Sequence, residues 1–226
     1  MAMKKLIKNF VHYVTGLMTH SDFQIRGGKE RKAMEQLLPQ VTLEQKHIDR
    51  FVMLPDRAEL LRQMPHGGVC AELGVNRGEF SQQIYATTHP AELHLVDSWA
   101  SGRYHDGLRG EVEMKFKNEI LQGNVVVHHG LSTEMIPRFP NNFFDWVYID
   151  TAHDYETTRE ELLLVKNKIK HDGFIAGHDY LMGNWAGGHR YGVMEAVHEF
   201  CRNENWQIRY LTINLPESPS FAISAI

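Results

Sequence analysis

The chain has 226 residues, 42% of them apolar and 23% charged, and a formal net charge of −4. That length gives one sizeable core and is short for two, and the composition is ordinary for a soluble globular protein. The absence of a basic excess argues against nucleic acid as a partner, and two cysteines, Cys70 and Cys201, make no disulfide framework, which points to a reducing cytoplasm.

Near the N-terminus, Leu6, Ile7, Phe10, Val11, Val14, Leu17 and Met18 recur at helical spacing behind Lys4 and Lys5. Lys8 and His12 interrupt the apolar run, so it is neither a signal-peptide core nor a transmembrane span. The amphipathic helix either packs on the domain or a partner, or lies on a membrane surface. Residues 19 to 65, rich in Gln, Glu, Arg and Leu, are expected as helices or ordered loops. Residues 1–65 therefore read as an N-terminal helical extension, open to service as a substrate lid or a homo-oligomer contact, and residues 66–226 as the core domain.

From residue 68 the pattern is regular. Apolar runs at 68–74, 92–97, 124–128, 144–149 and 173–177 alternate with helix-like stretches at 79–88, 108–122, 131–138 and 155–169. Such alternation builds a parallel sheet covered on both faces. After a helix at 191–204 come strands at 206–213 and 221–226, joined by Leu215-Pro216-Glu217-Ser218-Pro219. That link is too short for a crossover helix, so the last two strands form an antiparallel hairpin. The expected fold is α/β and Rossmann-like: a doubly wound, mostly parallel sheet of seven strands.

The segment Glu72-Leu73-Gly74-Val75-Asn76-Arg77-Gly78 closes the first core strand. A dinucleotide fingerprint places its second glycine two residues after the first, where this chain has Asn76. A carboxylate inside the turn repels a pyrophosphate and suits a ligand with an ammonium group, such as a nucleoside with an amino-acid tail. In an open parallel sheet ligands bind beyond the carboxyl ends of the strands. Asp97, ending the second core strand, can accept hydrogen bonds from both ribose hydroxyls, or can serve as a turn residue. Ser132 and Thr133 can cap a helix and also reach an adenine edge, while His128 and His129 suit packing or solvent. Asp150, His178 and Asp179 end neighbouring strands and can converge on a divalent cation. His153 stands at the mouth of that site as a candidate general base. The stretch 181–190, glycine-rich and containing Trp185, reads as a lid or a surface loop.

These residues resemble the class I S-adenosylmethionine-dependent methyltransferases, over roughly residues 66 to 226. Within that class, Tyr148-Ile149-Asp150-Thr151-Ala152-His153-Asp154-Tyr155 and Gly173-Phe174-Ile175-Ala176-Gly177-His178-Asp179-Tyr180 are similar to the branch of the macrocin and mycinose O-methyltransferases. Gly130-Leu131-Ser132-Thr133-Glu134-Met135-Ile136-Pro137 resembles the adenine-side segment of catechol O-methyltransferases. The resemblance implies that Glu72, Gly74, Asn76 and Gly78 hold the methionine end of S-adenosylmethionine, that Asp97 binds its ribose, and that Ser132 lies beside its adenine. Asp150 falls to both the cofactor side and the metal. It implies further that Asp150, His178 and Asp179 ligate a divalent metal and that His153 is the base. Position 178 departs from the pattern, because metal-dependent members usually carry an acidic residue there. An imidazole is a softer ligand, so Mg²⁺, another metal and no metal all stay open. The expected reaction is O-methylation of a small hydroxylated metabolite. A metal-independent O- or N-methyltransferase and a non-catalytic nucleoside-binding protein are the alternatives.

Overall fold

The structure is a computed structural model in which residues 33, 35–184 and 188–226 are described. The sheet elements, in chain order, are β1 (Val52–Leu54), β2 (Val69–Leu73), β3 (Glu92–Asp97), β4 (Val125–His129), β5 (Phe144–Ile149), β6 (Ile169–Gly177), β7 (Gly183–Asn184), β8 (His189–Arg190), β9 (Trp206–Thr212) and β10 (Phe221–Ala225). The helices are α1 (Arg57–Gln63), α2 (Glu79–Thr88), α3 (Asp106–Lys115), α4 (Lys117–Gln122), α5 (Ser132–Met135), α6 (Tyr155–Lys166) and α7 (Val193–Glu204).

Eight strands form one sheet in the order β1-β9-β10-β6-β5-β2-β3-β4, and β7 and β8 form a separate two-stranded ribbon. Every neighbouring pair in the large sheet is parallel except the two that involve β10. The antiparallel C-terminal hairpin is therefore inserted edge-on, with β10 between β6 and β9. The strands are near-continuous apolar runs because both faces are covered. On one face Ala71, Leu73, Val147, Ile149 and Ile175 meet Leu162 and Val165 of α6 and Val197 and Phe200 of α7. On the other, Cys70, Leu93, Leu95, Trp146 and Tyr148 meet Leu60 and Leu61 of α1, Ile84 of α2 and Val112 of α3. Both cysteines are buried and free.

The main sheet has one strand more than expected. β1 lies in the segment assigned to helices or loops, where it pairs in parallel with β9 through Val52↔Tyr210 and Leu54↔Thr212. Val52, Met53 and Leu54 at a sheet edge, two of them exposed, make too short an apolar run to announce a strand. Together with α1, whose Leu60 and Leu61 are fully buried, β1 makes the later part of residues 1–65 integral to the domain. The expected amphipathic helix near the N-terminus lies outside the described residues. β6 begins at Ile169, earlier than expected, running through the polar Lys170, His171 and Asp172. The expected helix at 108–122 breaks at Phe116 into α3 and α4. Among the described residues no helix is long and apolar enough to cross a membrane.

Candidate active site

The carboxyl ends of β2, β3, β5 and β6 carry the groups expected to do chemistry. After Leu73 the chain turns through Gly74 at φ +88°, Asn76 at φ +54° and Gly78 at φ +75°. A Cβ on Gly74 would stand 1.9 Å from the Asp150 carbonyl oxygen. The glycine thus makes room for the β5–α6 connection. Gly78 caps α2 in the left-handed conformation. Asp97 holds this turn from the side. Its Oδ2 accepts from the Val75 and Asn76 amides at 2.9 and 2.8 Å. Its Oδ1 accepts from Trp99 N at 2.9 Å, and the Trp99 indole donates to the Asn76 carbonyl at 2.9 Å. A carboxylate has about four acceptor positions, so these three bonds leave Asp97 with one open, against the two that both ribose hydroxyls would need.

Glu72 is 2% exposed and lies beside Tyr148 in the sheet register. Its carboxyl accepts a hydrogen bond from the Ser81 hydroxyl of α2. Burial pushes its pKa up, the Ser81 bond opposes that, the charge of Asp150 adds to it, and the result is about 8. Glu72 is therefore mostly protonated at neutral pH.

Asp150, His153 and Asp179 come together. His153 Nε2 is 3.1 Å from Asp150 Oδ1 and 3.0 Å from Asp179 Oδ2. One ligand atom from each lies within 4.8 Å of the other two. Two of these residues are held in the left-handed region, His153 at φ +62° and Asp179 at φ +55°. Such backbone costs on the order of 1–3 kcal/mol per residue and persists where the surroundings over-determine it. Here Asp150 N donates to the Leu73 carbonyl, and Gly192 N donates to the His153 carbonyl at 2.8 Å. The Tyr191 ring packs on the imidazole with centroids 5.0 Å apart. Burial works against charge on His153, but hydrogen bonds to Asp150 and Asp179 and their charges outweigh it and raise its pKa to about 9. Burial likewise opposes charge on Asp179, yet the bond from His153, the nearby His178 imidazole and the charge of His153 hold it far below the carboxylate range.

The two histidines are oriented differently from what residue spacing suggested. His153, the expected base, has its Nε2 turned into the carboxylate pair. His178, the expected ligand, has Nδ1 farther off, 3.7 Å from Asp150 Oδ2 and 3.6 Å from Asp179 Oδ2. Its Nε2 is buried with no partner among the described residues. The positive φ of His153 swings its side chain inward, a rotation that residue spacing cannot encode.

Ser132, expected beside adenine, donates its hydroxyl to Glu161. The same carboxyl accepts from Thr151 Oγ1 at 2.8 Å, tying the α5 loop to the β5–α6 loop. Glu161 is fully buried, and burial raises its pKa to about 7 against the bonds from Ser132 and Thr151. In sequence it reads as one more polar position of an amphipathic helix. His128 packs against His94 in a cluster with Phe139, and His129 bonds the Ser98 carbonyl at 2.8 Å. Arg57 and Glu217, distant in sequence, pair at 3.2 Å beside this end of the sheet. In the 181–190 stretch, β7 and β8 form the ribbon, and Trp185 lies outside the described residues.

Residues 71–180 match the family model Methyltransf_24, described as a methyltransferase domain. The fold is similar to that of several solved structures. The pyocyanin biosynthetic protein PhzM is 13% identical with a TM-score of 0.58, over 75% of this chain and 54% of its own. A SAM-dependent methyltransferase from Aquifex aeolicus is 11% identical with a TM-score of 0.55, over 86% of this chain and 98% of its own. Geranyl diphosphate methyltransferase in complex with SAM is 8% identical with a TM-score of 0.57, over 75% and 84%. Among curated proteins no sequence matches this chain. This chain spans about half the length of PhzM. Residues 71–180 are thus similar to a methyltransferase domain, and they sit in a fold similar to those of SAM-dependent methyltransferases.

Proposed function

We propose that this protein transfers the methyl group of S-adenosylmethionine to a hydroxyl of a small-molecule acceptor, at a divalent cation held by Asp150, His153 and Asp179. The observation that carries the reading is the convergence of those three side chains, ligand atoms within 4.8 Å, beside the Gly74 turn. Two carboxylates and an imidazole are a donor set that suits a divalent ion and leaves positions open. The resemblance of residues 148–155 and 173–180 to macrocin and mycinose O-methyltransferases supports an oxygen acceptor.

When bound, such an ion lowers the pKa of the acceptor hydroxyl and fixes its direction. The rest falls to the chain. Asp150 and Asp179 supply two negative charges, which temper repulsion between an ion and the sulfonium. The acceptor oxygen attacks the methyl carbon in line with the departing sulfur, the C–S bond breaks, and S-adenosylhomocysteine leaves. The hydroxyl proton goes to His178 Nε2, the nitrogen left without a partner. Alignment of oxygen, methyl and sulfur supplies much of the barrier reduction.

A second reading has its own observation. The raised pKa of His153 places a positive charge between the two carboxylates without any metal, which suits a metal-independent methyltransferase. The test is transfer of labelled methyl from S-adenosylmethionine to sugar and phenol hydroxyls, before and after EDTA and with Mg²⁺ or Mn²⁺ restored. Activity lost to EDTA and recovered with metal supports the first reading. Activity indifferent to EDTA supports the second, and no labelled product with any acceptor leaves a nucleoside-binding protein.

A further inference from the structure

We propose that Arg57 binds the carboxylate of the cofactor's amino-acid end, and that Glu217 occupies the guanidinium until the cofactor arrives. The inference rests on the reading of S-adenosylmethionine as the ligand, and concerns two residues outside the matched 71–180 segment.

Arg57 is the first residue of α1, directly after the Asp56 cap, whose Oδ1 accepts from Glu59 N at 2.8 Å. That cap aims the side chain at the start of α2. There the guanidinium stacks on the Phe80 ring, 4.4 Å from its centroid, and Phe80 packs on Tyr148 with centroids 4.5 Å apart. Ser81, the next residue, holds Glu72. Arg57 therefore belongs to the same cluster as the turn after β2. Glu72 feels the charges of Asp150, Arg57 and Asp97, so three carboxyl groups and one guanidinium surround that turn within electrostatic reach.

A purely cationic ligand would need no arginine there, and a purely anionic one would be repelled by the carboxylates. A zwitterion needs both poles. An amino-acid tail places its ammonium toward the acidic side and its carboxylate toward a guanidinium, which grips a carboxylate with two parallel N–H donors. The structure shows that grip on a stand-in. Arg57 Nε and Nη2 donate to the two Glu217 carboxylate oxygens at 3.2 and 3.3 Å. Glu217 comes from the loop between β9 and β10 with its side chain 39% exposed, against 16% for Arg57. The anchored partner is the arginine and the displaceable one is the glutamate.

The test compares S-adenosylhomocysteine with methylthioadenosine, which lacks the amino-acid tail, by calorimetry on the full chain. Arg57→Gln should weaken S-adenosylhomocysteine by about 10- to 100-fold, the range for losing charge-assisted hydrogen bonds, and leave methylthioadenosine unchanged. Glu217→Gln removes the competitor and should tighten S-adenosylhomocysteine by about 2- to 10-fold, again without effect on methylthioadenosine. Equal S-adenosylhomocysteine affinity in wild type and Arg57→Gln overturns the proposal and leaves the cofactor reading intact. Parallel loss of both nucleosides in Arg57→Gln, with no tightening in Glu217→Gln, overturns it as well and makes Arg57 a structural residue. Failure of the wild type to bind either nucleoside overturns the cofactor reading and this inference together.

Discussion

Replacing Glu72 by Gln should stabilise the ligand-free protein progressively as pH rises. Folding buries this carboxyl completely and moves its pKa from 4.5 to about 8, with burial the largest cause. A group whose folded pKa is raised binds its proton more tightly in the native state. The native state is therefore disfavoured increasingly as pH climbs from 4.5, and the loss levels off above about 8. Each pH unit inside that window costs about 1.4 kcal/mol. Between pH 6 and pH 8, allowing for partial ionisation near the upper end, the wild type should lose roughly 2 kcal/mol relative to a variant with no titrating group. The Gln amide keeps the shape and can accept from Ser81, but its extra N–H has no partner, a fixed cost of about 1–3 kcal/mol. That cost offsets the absolute gain and does not depend on pH, so the slope is the diagnostic quantity. Urea unfolding followed by circular dichroism at pH 6, 7 and 8 measures it for both proteins. Parallel stability profiles would refute the reasoning, since they would mean that Glu72 is already ionised in the fold.

Gly74→Ala places a methyl 1.9 Å from the Asp150 carbonyl oxygen at a φ of +88°; thermal melts should show a loss of at least about 2 kcal/mol, and transfer of labelled methyl should fall with it. Asp97→Asn keeps one acceptor oxygen where the native residue uses two for three backbone amides. It should cost about 1–3 kcal/mol in urea unfolding and weaken S-adenosylhomocysteine binding in calorimetry. His128 titrates in the opposite sense from Glu72. Burial and the charge of His94 push its pKa down to about 4, so stability should fall as pH drops from 6.5 toward 4. His128→Gln should flatten that acid limb in a pH series of melts.

Much of the sheet was legible because its strands carry their own signal. The runs at 92–97 and 144–149 have the bounds that the structure shows, since a strand buried on both faces is apolar throughout. The antiparallel hairpin followed from a loop too short to cross over. β1 was hidden for the opposite reason: its stability comes from pairing with β9, and two of its three side chains face solvent. In the candidate site, the sequence located which loops meet but not which atoms face each other. His153 and Asp179 take positive φ values without being glycine, so backbone conformations that residue type disfavours decide where their side chains point. Glu161 and Arg57 gave no signal, because their significance comes from Ser132, Thr151, Phe80 and Glu217, partners that only the fold brings near.

The matched segment ends at Tyr180, yet the site depends on chain beyond it. Asp179 stands just past the end of β6, and Ser218 as well as the histidines helps to hold its pKa down. Ser218 belongs to the β9–β10 loop, as does Glu217, and the Tyr180 amide donates to the Pro219 carbonyl at 2.9 Å. Without the hairpin, β6 would be an unprotected edge strand, its Ile175 and Gly177 losing their ladder to Ile223 and Phe221. The left-handed Asp179 would lose the anchor beside it. The hairpin is thus part of the candidate site's construction. A strand order that inserts β10 between β6 and β9 puts the hairpin loop over the carboxyl ends of the parallel strands, where it meets α1 on one side and Asp179 on the other.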